Sequence, residues 1–410
     1  MHLSELLLCH DQTAIANELR LRPELGHGSL KGFERNTLLH LSVVAKNKEL
    51  TEYMLHYFPN LIRMHNKNNA TALSLAFDAN DLEAVRAMHT YCPRVLFDSC
   101  NFHHQTCLEM AISKCNEQHV NIILDLSIES NSFPQLLQLR SKHDNSTALH
   151  LAAGYSSFTI MKTIFECGVL NAMCQNIRFE TPLHWSIFSK IDSAEKVQFW
   201  IKNGPPELFC VKDSLLRSPL LFAIQQQKPN IAMMLAKAYP HMITMTQHHV
   251  HPLQLAASLA MDNLFETMSA LSPQSLRYIA SNDRSSILHV AKTKFVAQYT
   301  FAREPSLIDS RDEYGNTVLH TCVRSNAFDV ASFLLQRAPR LLFERNCDGL
   351  LPKQLCHDKS SDMMSLLEYA EMHTTLVDIF IPDIVSIIMT FIFIMNPLNL
   401  NHNNTLRKRK

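Results

Sequence analysis

The chain has 410 residues, in which Lys+Arg 38 balance Asp+Glu 38, and 46% of the residues are hydrophobic. This balance, with a pI near 7.3, excludes a global field of the kind that draws proteins to nucleic acid. A chain of this length ordinarily predicts two or three domains, unless it is built from repeated units that each pack only on their neighbours.

The cysteines and the N-terminal residues favour a cytoplasmic protein. Eleven cysteines are scattered along the chain, and Cys107 with Cys115, or Cys167 with Cys174, lack the close spacing of a zinc site. The first residues carry Glu5, have no basic region and contain an apolar run too short for a secretory signal. We therefore expect reduced thiols, no metal and no cofactor.

A four-residue motif recurs along the chain. Its clearest copy is Thr181-Pro182-Leu183-His184. Close relatives begin at Thr37, Thr147, Ser286 and Thr317, and weaker ones begin at Thr71, Thr106, Ser218, His251 and Leu351. Successive starts are 34, 35, 41, 34, 37, 33, 35, 31 and 34 residues apart. This period and motif resemble those of the ankyrin-repeat family over about residues 30–373. The resemblance implies an all-α solenoid of about ten helix-turn-helix units, here called repeats 1 to 10.

The predicted elements follow this period in chain order. Residues 1–30 are interpreted as a degenerate N-terminal capping unit, and the repeats occupy 31–373. Second helices are expected near 48–57, 81–91, 117–127, 156–167, 193–202, 229–238, 262–271, 294–303, 327–337 and 360–371. The longest spacing predicts an insertion around 131–140, and the shortest predicts a shortened repeat 8. Ankyrin repeats usually contain several glycines per unit, whereas this chain has 8, so Asn, His and Pro are expected at many of those positions.

The histidines form two groups. One group lies in the motif, one per repeat, and the resemblance implies hydrogen bonds between neighbouring repeats for His40, His150, His184, His289 and His320. The other group falls in the predicted turns between repeats, called finger turns. Because exposed turns commonly make contacts, we expect a protein partner there rather than a metal.

The candidate partner-binding residues all lie in finger turns. We select them because aromatic and Arg side chains dominate interface energetics. They are Phe102, His103 and His104 in repeat 3, Arg178 and Phe179 in repeat 5, His248 and His249 in repeat 7, and Tyr314 in repeat 9. The sequence contains none of the common nucleotide, zinc-protease or hydrolase motifs. We therefore predict a non-catalytic scaffold or adaptor that binds a protein on its concave surface.

Residues 374–398 differ from the repeats in being strongly hydrophobic, and three interpretations remain open for them. A membrane span through 376–395 is interrupted by Asp378, Pro382 and Asp383. A second interpretation is a helix that caps the last repeat. The third is a docking segment, because Ile381–Ile392 resembles the opening of an F-box, most closely the shortened ending of poxvirus ankyrin proteins.

The F-box resemblance implies recruitment of a Skp1-type adaptor, which would make the chain a substrate receptor for ubiquitin ligation. The residues implied in docking are Pro382, Asp383, Ile384, Ile388 and Ile392. Residues 399–410 end in a basic cluster and are predicted to be a disordered tail, with nuclear targeting or lipid contact as alternatives.

Overall fold

The computed structural model describes residues 35–101, 104–167, 172–247, 250–356 and 362–379. For residues 376–379 it describes the backbone alone. Across these ranges the regular structure is helical, with twenty α-helices and isolated antiparallel bridges such as Arg140–Thr147 in place of strands. The predicted all-α repeat architecture is confirmed. The chain divides into two compact units between Gln226 and Gln227.

The first unit contains the first helices of repeats 1 to 6, the second helices of repeats 1 to 5 and one additional helix, α7. They are α1 Leu38–Val44, α2 Lys48–Tyr57, α3 Ala72–Asp78, α4 Leu82–Tyr91, α5 Cys107–Ser113, α6 Glu117–Glu129, α7 Phe133–Gln138, α8 Ala148–Tyr155, α9 Phe158–Cys167, α10 Pro182–Phe188, α11 Ser193–Asn203 and α12 Pro219–Gln225. Short 3₁₀ helices follow α2, α4 and α11 at Pro59–Arg63, Pro93–Phe97 and Pro206–Cys210.

The second unit continues the same alternation. Its helices are α13 Pro229–Ala238, α14 Pro252–Ser258, α15 Asp262–Leu271, α16 Ile287–Val290, α17 Lys294–Arg303, α18 Val318–Arg324, α19 Phe328–Arg337 and α20 Asp362–Ile379. Its 3₁₀ helices are Pro240–Thr244, Pro273–Arg277, Pro305–Asp309, Pro339–Phe343 and Pro352–Leu355.

Each clear motif copy begins a first helix through a reciprocal cap. In repeat 1 the backbone N–H of Thr37 donates to Nδ1 of His40 at 3.2 Å, and the Thr37 hydroxyl lies 2.7 Å from the same nitrogen. The His40 N–H in turn points to the Thr37 hydroxyl. Repeats 4, 5, 8 and 9 begin with the same box. These bonds satisfy backbone donors that a helix leaves unpaired at its start.

Proline ends most second helices. Because proline drives the preceding residue away from the helical region, that residue has φ between −134° and −144° in six repeats. The proline then starts the 3₁₀ turn, which in five of these six repeats buries two apolar side chains, such as Leu61 with Ile62 or Met242 with Ile243, and in repeat 7 buries Ser275 with Leu276. Proline therefore stands at helix ends where glycine would otherwise serve, as expected from the sequence.

The two irregular spacings correspond to two irregular repeats. The insertion forms the additional helix α7, which buries Leu136 and Leu137. Repeat 8 is shortened, since α16 has 4 residues and α17 begins after the Thr293 cap. The last helix, α20, runs through the predicted boundary at 373/374 without a break. The described helices include none that is both long and apolar enough to cross a membrane.

A buried lysine joins repeats 4 and 5. Lys196 on α11 has no solvent exposure, and its ammonium donates to Ala153 O at 3.0 Å, Ser156 O at 2.6 Å and Ser189 Oγ at 3.1 Å. All three ammonium hydrogens thus have acceptors, two of them at the C-terminal end of α8, where a positive charge is favourable. This contact fixes α8 against α11 beneath the surface described next.

Candidate functional site

The finger turns are shaped by an Asn or Asp side chain at their start. In repeat 5, Asn176 Oδ1 accepts the backbone N–H groups of Arg178 and Glu180 at 2.9 and 3.0 Å. In repeat 6, Asp213 Oδ1 accepts those of Leu215 and Arg217 at 3.0 and 2.9 Å. Such side-chain turns fold the backbone tightly without needing glycine, and they set the conformation of the residue at each tip.

The tip residue, three positions after the Asn or Asp, adopts a left-handed backbone. Glycine occupies this position in repeats 9 and 10, as Gly315 and Gly349 with φ of 70° and 75°. Asn69 and His104 occupy it in repeats 2 and 3. In repeats 5 and 6 it holds Phe179, with φ 55°, and Leu216, with φ 59°. A left-handed conformation costs a residue with a side chain about 1–2 kcal/mol.

The tips of repeats 5 and 6 lie side by side and are apolar. The Ser214 N–H donates to Arg178 O at 2.7 Å, which holds the two turns together. The finger-tip patch consists of Ile177, Phe179, Leu215 and Leu216, whose exposed fractions are 60%, 56%, 53% and 47%. Four large apolar side chains on two adjacent tips are unusual on the surface of a soluble protein and typify interaction sites.

Aromatic side chains extend this surface along the first helices. The helix patch consists of Tyr155 on α8 with Trp185 and Phe188 on α10. The rings of Tyr155 and Trp185 meet edge to face at 5.5 Å, and Phe188 and Tyr155 are about half exposed. Glu180 Oε2 accepts the indole N–H of Trp185 at 2.9 Å and the amide of Asn176 at 3.0 Å, which ties the helix patch to the finger turn.

Sequence reasoning missed the helix patch. Its signal is the residue that follows the motif histidine, which is Leu41, Leu151 and Leu255 in repeats 1, 4 and 7 but Trp185 in repeat 5. Comparing the same position across repeats would have identified this tryptophan as an exception.

The motif histidines link neighbouring repeats, as the family resemblance implied. Four of them hydrogen-bond through Nε2 to a carbonyl of the next finger turn: His40 to Ala70 at 3.0 Å, His150 to Glu180 at 3.0 Å, His289 to Asn316 at 3.2 Å and His320 to Leu350 at 3.0 Å. For the fifth, His184, burial lowers the pKa of the imidazole and the Arg217 carbonyl partly offsets this, but the buried Nε2 makes no hydrogen bond.

These contacts require neutral imidazole. Nδ1 lies at the Thr or Ser cap and accepts its N–H, which places the ring proton on Nε2. Burial lowers the pKa of His150 and of His184 from 6.5 to about 4. Burial also lowers the pKa of His40, His289 and His320. Within the described ranges, no cluster of His, Cys, Asp and Glu could hold a metal ion.

The structure places the sequence-predicted residues in three groups. Arg178 and Phe179 lie on the tip of repeat 5 beside the rest of the finger-tip patch, and both are exposed. His104 is exposed at the left-handed position of repeat 3, and Tyr314 is exposed in the second unit, where its carbonyl accepts the N–H of Cys347 at 3.0 Å. Phe102, His103, His248, His249, Pro382, Asp383, Ile384, Ile388 and Ile392 lie outside the described residues.

Comparison with known proteins adds little to these observations. No family model matches the chain, and no curated protein matches it. Among solved structures, the ankyrin repeat domain of Bcl-3, described as a unique member of the IkappaB protein family, aligns with 64% of this chain and 96% of that chain. The identity is 19% and the TM-score is 0.35. The ankyrin-type architecture is therefore assigned from the caps, helix pairs and finger turns of the chain itself.

Proposed function

We propose that this chain is a non-catalytic scaffold or adaptor that binds a protein partner at the finger-tip patch of repeats 5 and 6. The observation that carries the proposal is the pair Phe179 and Leu216, two bulky apolar residues held in left-handed backbone at exposed tips. Arrays of ankyrin-type repeats generally serve as protein-interaction modules, because they offer an extended surface rather than an enclosed pocket.

The fold itself does not explain these two side chains. The other described repeats hold glycine or a polar residue at this position, namely Arg35, Asn69, His104, Asn145, Arg284, Gly315 and Gly349. About half of each side chain is exposed, so burial in the folded chain offsets part of the backbone cost and leaves the other half of each apolar surface in water. Left-handed backbone by itself does not mark a site here, since exposed Arg35 and Arg284 share it; what distinguishes repeats 5 and 6 is that the side chain at this position is large and apolar. A partner that covers Phe179 and Leu216 would supply the missing burial.

The test is a double substitution at the two tips. We expect Phe179→Gly with Leu216→Gly to abolish partner capture by the full chain while the helical circular dichroism is kept. Each change removes left-handed strain, but it also removes a half-buried side chain and adds glycine flexibility to the unfolded chain, so the melting temperature should stay about level. Proximity labelling and pull-down in cells, quantified by mass spectrometry, measure the loss.

The matched control is Asn69→Gly, which alters the same backbone position in repeat 2, where the tip is polar. This variant should keep every partner. If the double variant captures the same partners as the natural chain, the finger-tip patch is not the recognition surface. If it unfolds, the two side chains support the fold and the interpretation of strain is wrong.

A separate proposal concerns residues 376–395, which lie almost entirely outside the described residues. The resemblance of Ile381–Ile392 to an F-box opening supports recruitment of a Skp1-type adaptor, and thereby a substrate-receptor role in ubiquitin ligation. Capture of Skp1 by the full chain, lost on removal of 376–395, supports this role. Redistribution of the truncated chain from membranes to cytosol would instead support tethering. We propose the cytoplasm as the compartment, on the cysteine pattern.

A further inference from the structure

We propose that the finger-tip patch receives a segment in which acidic residues flank apolar ones. This inference rests on the proposed function and adds the chemistry of the partner. It is drawn from the charges on the finger turns of repeats 4, 5 and 6, spanning residues 140–146, 175–180 and 211–217. On these turns the cations outnumber the carboxylates.

Each carboxylate on these turns is engaged by its own turn. Asp144 Oδ1 accepts the N–H of Ser146 at 3.1 Å. Glu180 Oε2 accepts the Asn176 amide and the Trp185 indole, as described above. Asp213 is buried, accepts two backbone N–H groups, and forms an ion pair with Arg217 at 2.5 Å. The N–H donors on Asp144 and Glu180 carry no net charge, so only the charge of Asp213 is balanced within its turn, by Arg217. Across the three turns 5 Lys and Arg side chains stand against 3 Asp and Glu side chains, an excess of two positive charges.

The cations point outward. Arg140, Lys142, Arg178 and Lys212 are all exposed. The guanidinium of Arg140 donates to the carbonyls of Asn145 and Gln175 at 3.1 and 2.9 Å. Carbonyl groups carry no net charge, so this contact orients the guanidinium without cancelling it. The cations define a basic rim beside the finger-tip patch, although the whole chain has a formal net charge of +0.

An apolar centre with a basic rim selects a particular kind of partner. Burial of apolar side chains supplies affinity, while a complementary acidic segment is steered toward the rim and held in register. Nucleic acid fits the finger tips less well, because unpaired bases stack on aromatic rings and three of the four residues of the finger-tip patch are aliphatic; the aromatic rings lie on the helix patch. The observations therefore favour an acidic, apolar peptide segment.

The experiment is selection of a displayed random peptide library on the full-length chain, followed by calorimetric titration of the enriched peptides. We expect enrichment of Asp or Glu next to large apolar residues. Lys142→Glu with Arg178→Glu should weaken binding about tenfold at low salt, and the difference should shrink as salt screens the rim. Phe179→Gly with Leu216→Gly should remove binding. Lys67→Glu and Asn69→Gly, both in the finger turn of repeat 2, are the matched controls and should leave binding unchanged.

The outcomes separate this inference from the proposed function. Enriched peptides that are neutral or basic, yet need Phe179 and Leu216, overturn the acidic partner and leave protein binding at the patch intact. Peptides that bind the double glycine variant equally well overturn both. Failure to enrich any peptide overturns the inference. So does tighter binding of a single-stranded oligonucleotide or of anionic lipid vesicles, lost on Lys142→Glu with Arg178→Glu.

Discussion

A single histidine in each clear repeat performs two tasks that depend on its protonation state. Nδ1 accepts the N–H of the cap, and in four of the five clear repeats Nε2–H donates to the next finger turn, so the ring there acts as acceptor and donor at once. A second proton on the ring would turn Nδ1 into a donor facing another donor. Burial makes this protonation costly, as the lowered pKa of His150 and of His184 records.

We predict that acid destabilises the chain between about pH 6.5 and pH 4. The unfolded chain binds protons at these histidines below about 6.5, whereas the folded chain resists until its lowered pKa near 4 is reached. The stability is thus fully present above pH 6.5 and declines as the pH falls. A shift of this size is worth roughly 3 kcal/mol for each of His150 and His184. Urea denaturation across this pH range measures the decline.

Repeat 7 provides the matched control for this prediction. There Gln254 stands in the histidine position, and its amide donates to Ser285 O at 2.9 Å, so the link between repeats survives without a titrating group. His150→Gln with His184→Gln should keep most of the stability at pH 7 and remove the share of the acid decline that these two residues cause. His251, whose pKa burial also lowers to about 4, keeps its own share. An unchanged pH dependence in this double variant would show that other groups cause the acid sensitivity.

For single residues, the sequence predicted what a side chain does more readily than which backbone conformation it adopts. The linking role of His40 and its relatives followed from the repeated motif. Phe179 was predicted to be exposed and to contact a partner, but its left-handed backbone could not be predicted. That conformation is set by the Asn176 side chain three residues earlier, and phenylalanine by itself disfavours it.

Among the secondary-structure elements, α8 and α10 meet at an unusually close contact. Gly154 lies near the end of α8, and a Cβ placed there would come within 2.8 Å of Cε3 of Trp185. Glycine weakens a helix by about 0.5–1 kcal/mol relative to alanine. Glycine at this position nevertheless leaves room for the Trp185 ring, whereas alanine would clash with it. Gly154 therefore allows repeats 4 and 5 to pack closely.

We predict that Gly154→Ala destabilises the chain despite its better helix propensity. Overpacking costs about 1–3 kcal/mol, against a gain in propensity of about 0.5–1 kcal/mol, which leaves a net loss of up to about 2.5 kcal/mol. Chemical denaturation followed by far-ultraviolet circular dichroism measures this loss. The tryptophan emission should also change, since Trp185 is one of only 2 tryptophans in the sequence.

A double-substitution cycle tests whether the ring is the cause. Trp185→Leu installs the residue found at this position in repeats 1, 4 and 7. In that background Gly154→Ala should be neutral or stabilising, because the clash has been removed. If Gly154→Ala stabilises the natural chain as well, the Trp185 ring does not pack on α8 as described.

Helix positions could be predicted well because the same motif recurs in each repeat. A helix that is uncertain in one repeat can therefore be placed by comparison with the others. The insertion that forms α7 and the short α16 followed from spacing alone. The 3₁₀ turns after the prolines were not predicted. Proline signals the end of a helix in any context, whereas the turn also depends on burial of pairs such as Leu341 and Leu342 against the rest of the repeat.

For the whole molecule, the division into two compact units falls inside repeat 6, between α12 and α13. The repeat period gives no sign of this division, because the motif starts on either side of residue 226, Ser218 and His251, are 33 residues apart, an ordinary spacing for this chain. The finger-tip patch, its basic rim and the helix patch all lie between residues 140 and 217, within the first unit. The binding surface should therefore be independent of the chain's C-terminal end.

We predict that a chain ending at Ile379 binds its finger-tip partner as tightly as the full chain. This truncation keeps the described helices to the end of α20 and removes the apolar run 384–395 together with the basic tail. Titration with a peptide enriched on the full chain compares the two affinities.

Ile388→Asp in the full-length chain is the control, because it breaks the apolar run without shortening the chain and should also keep the affinity. If both variants lose the peptide, residues 380–410 belong to the recognition surface. If only the truncation loses it, the charge of the removed tail contributes instead.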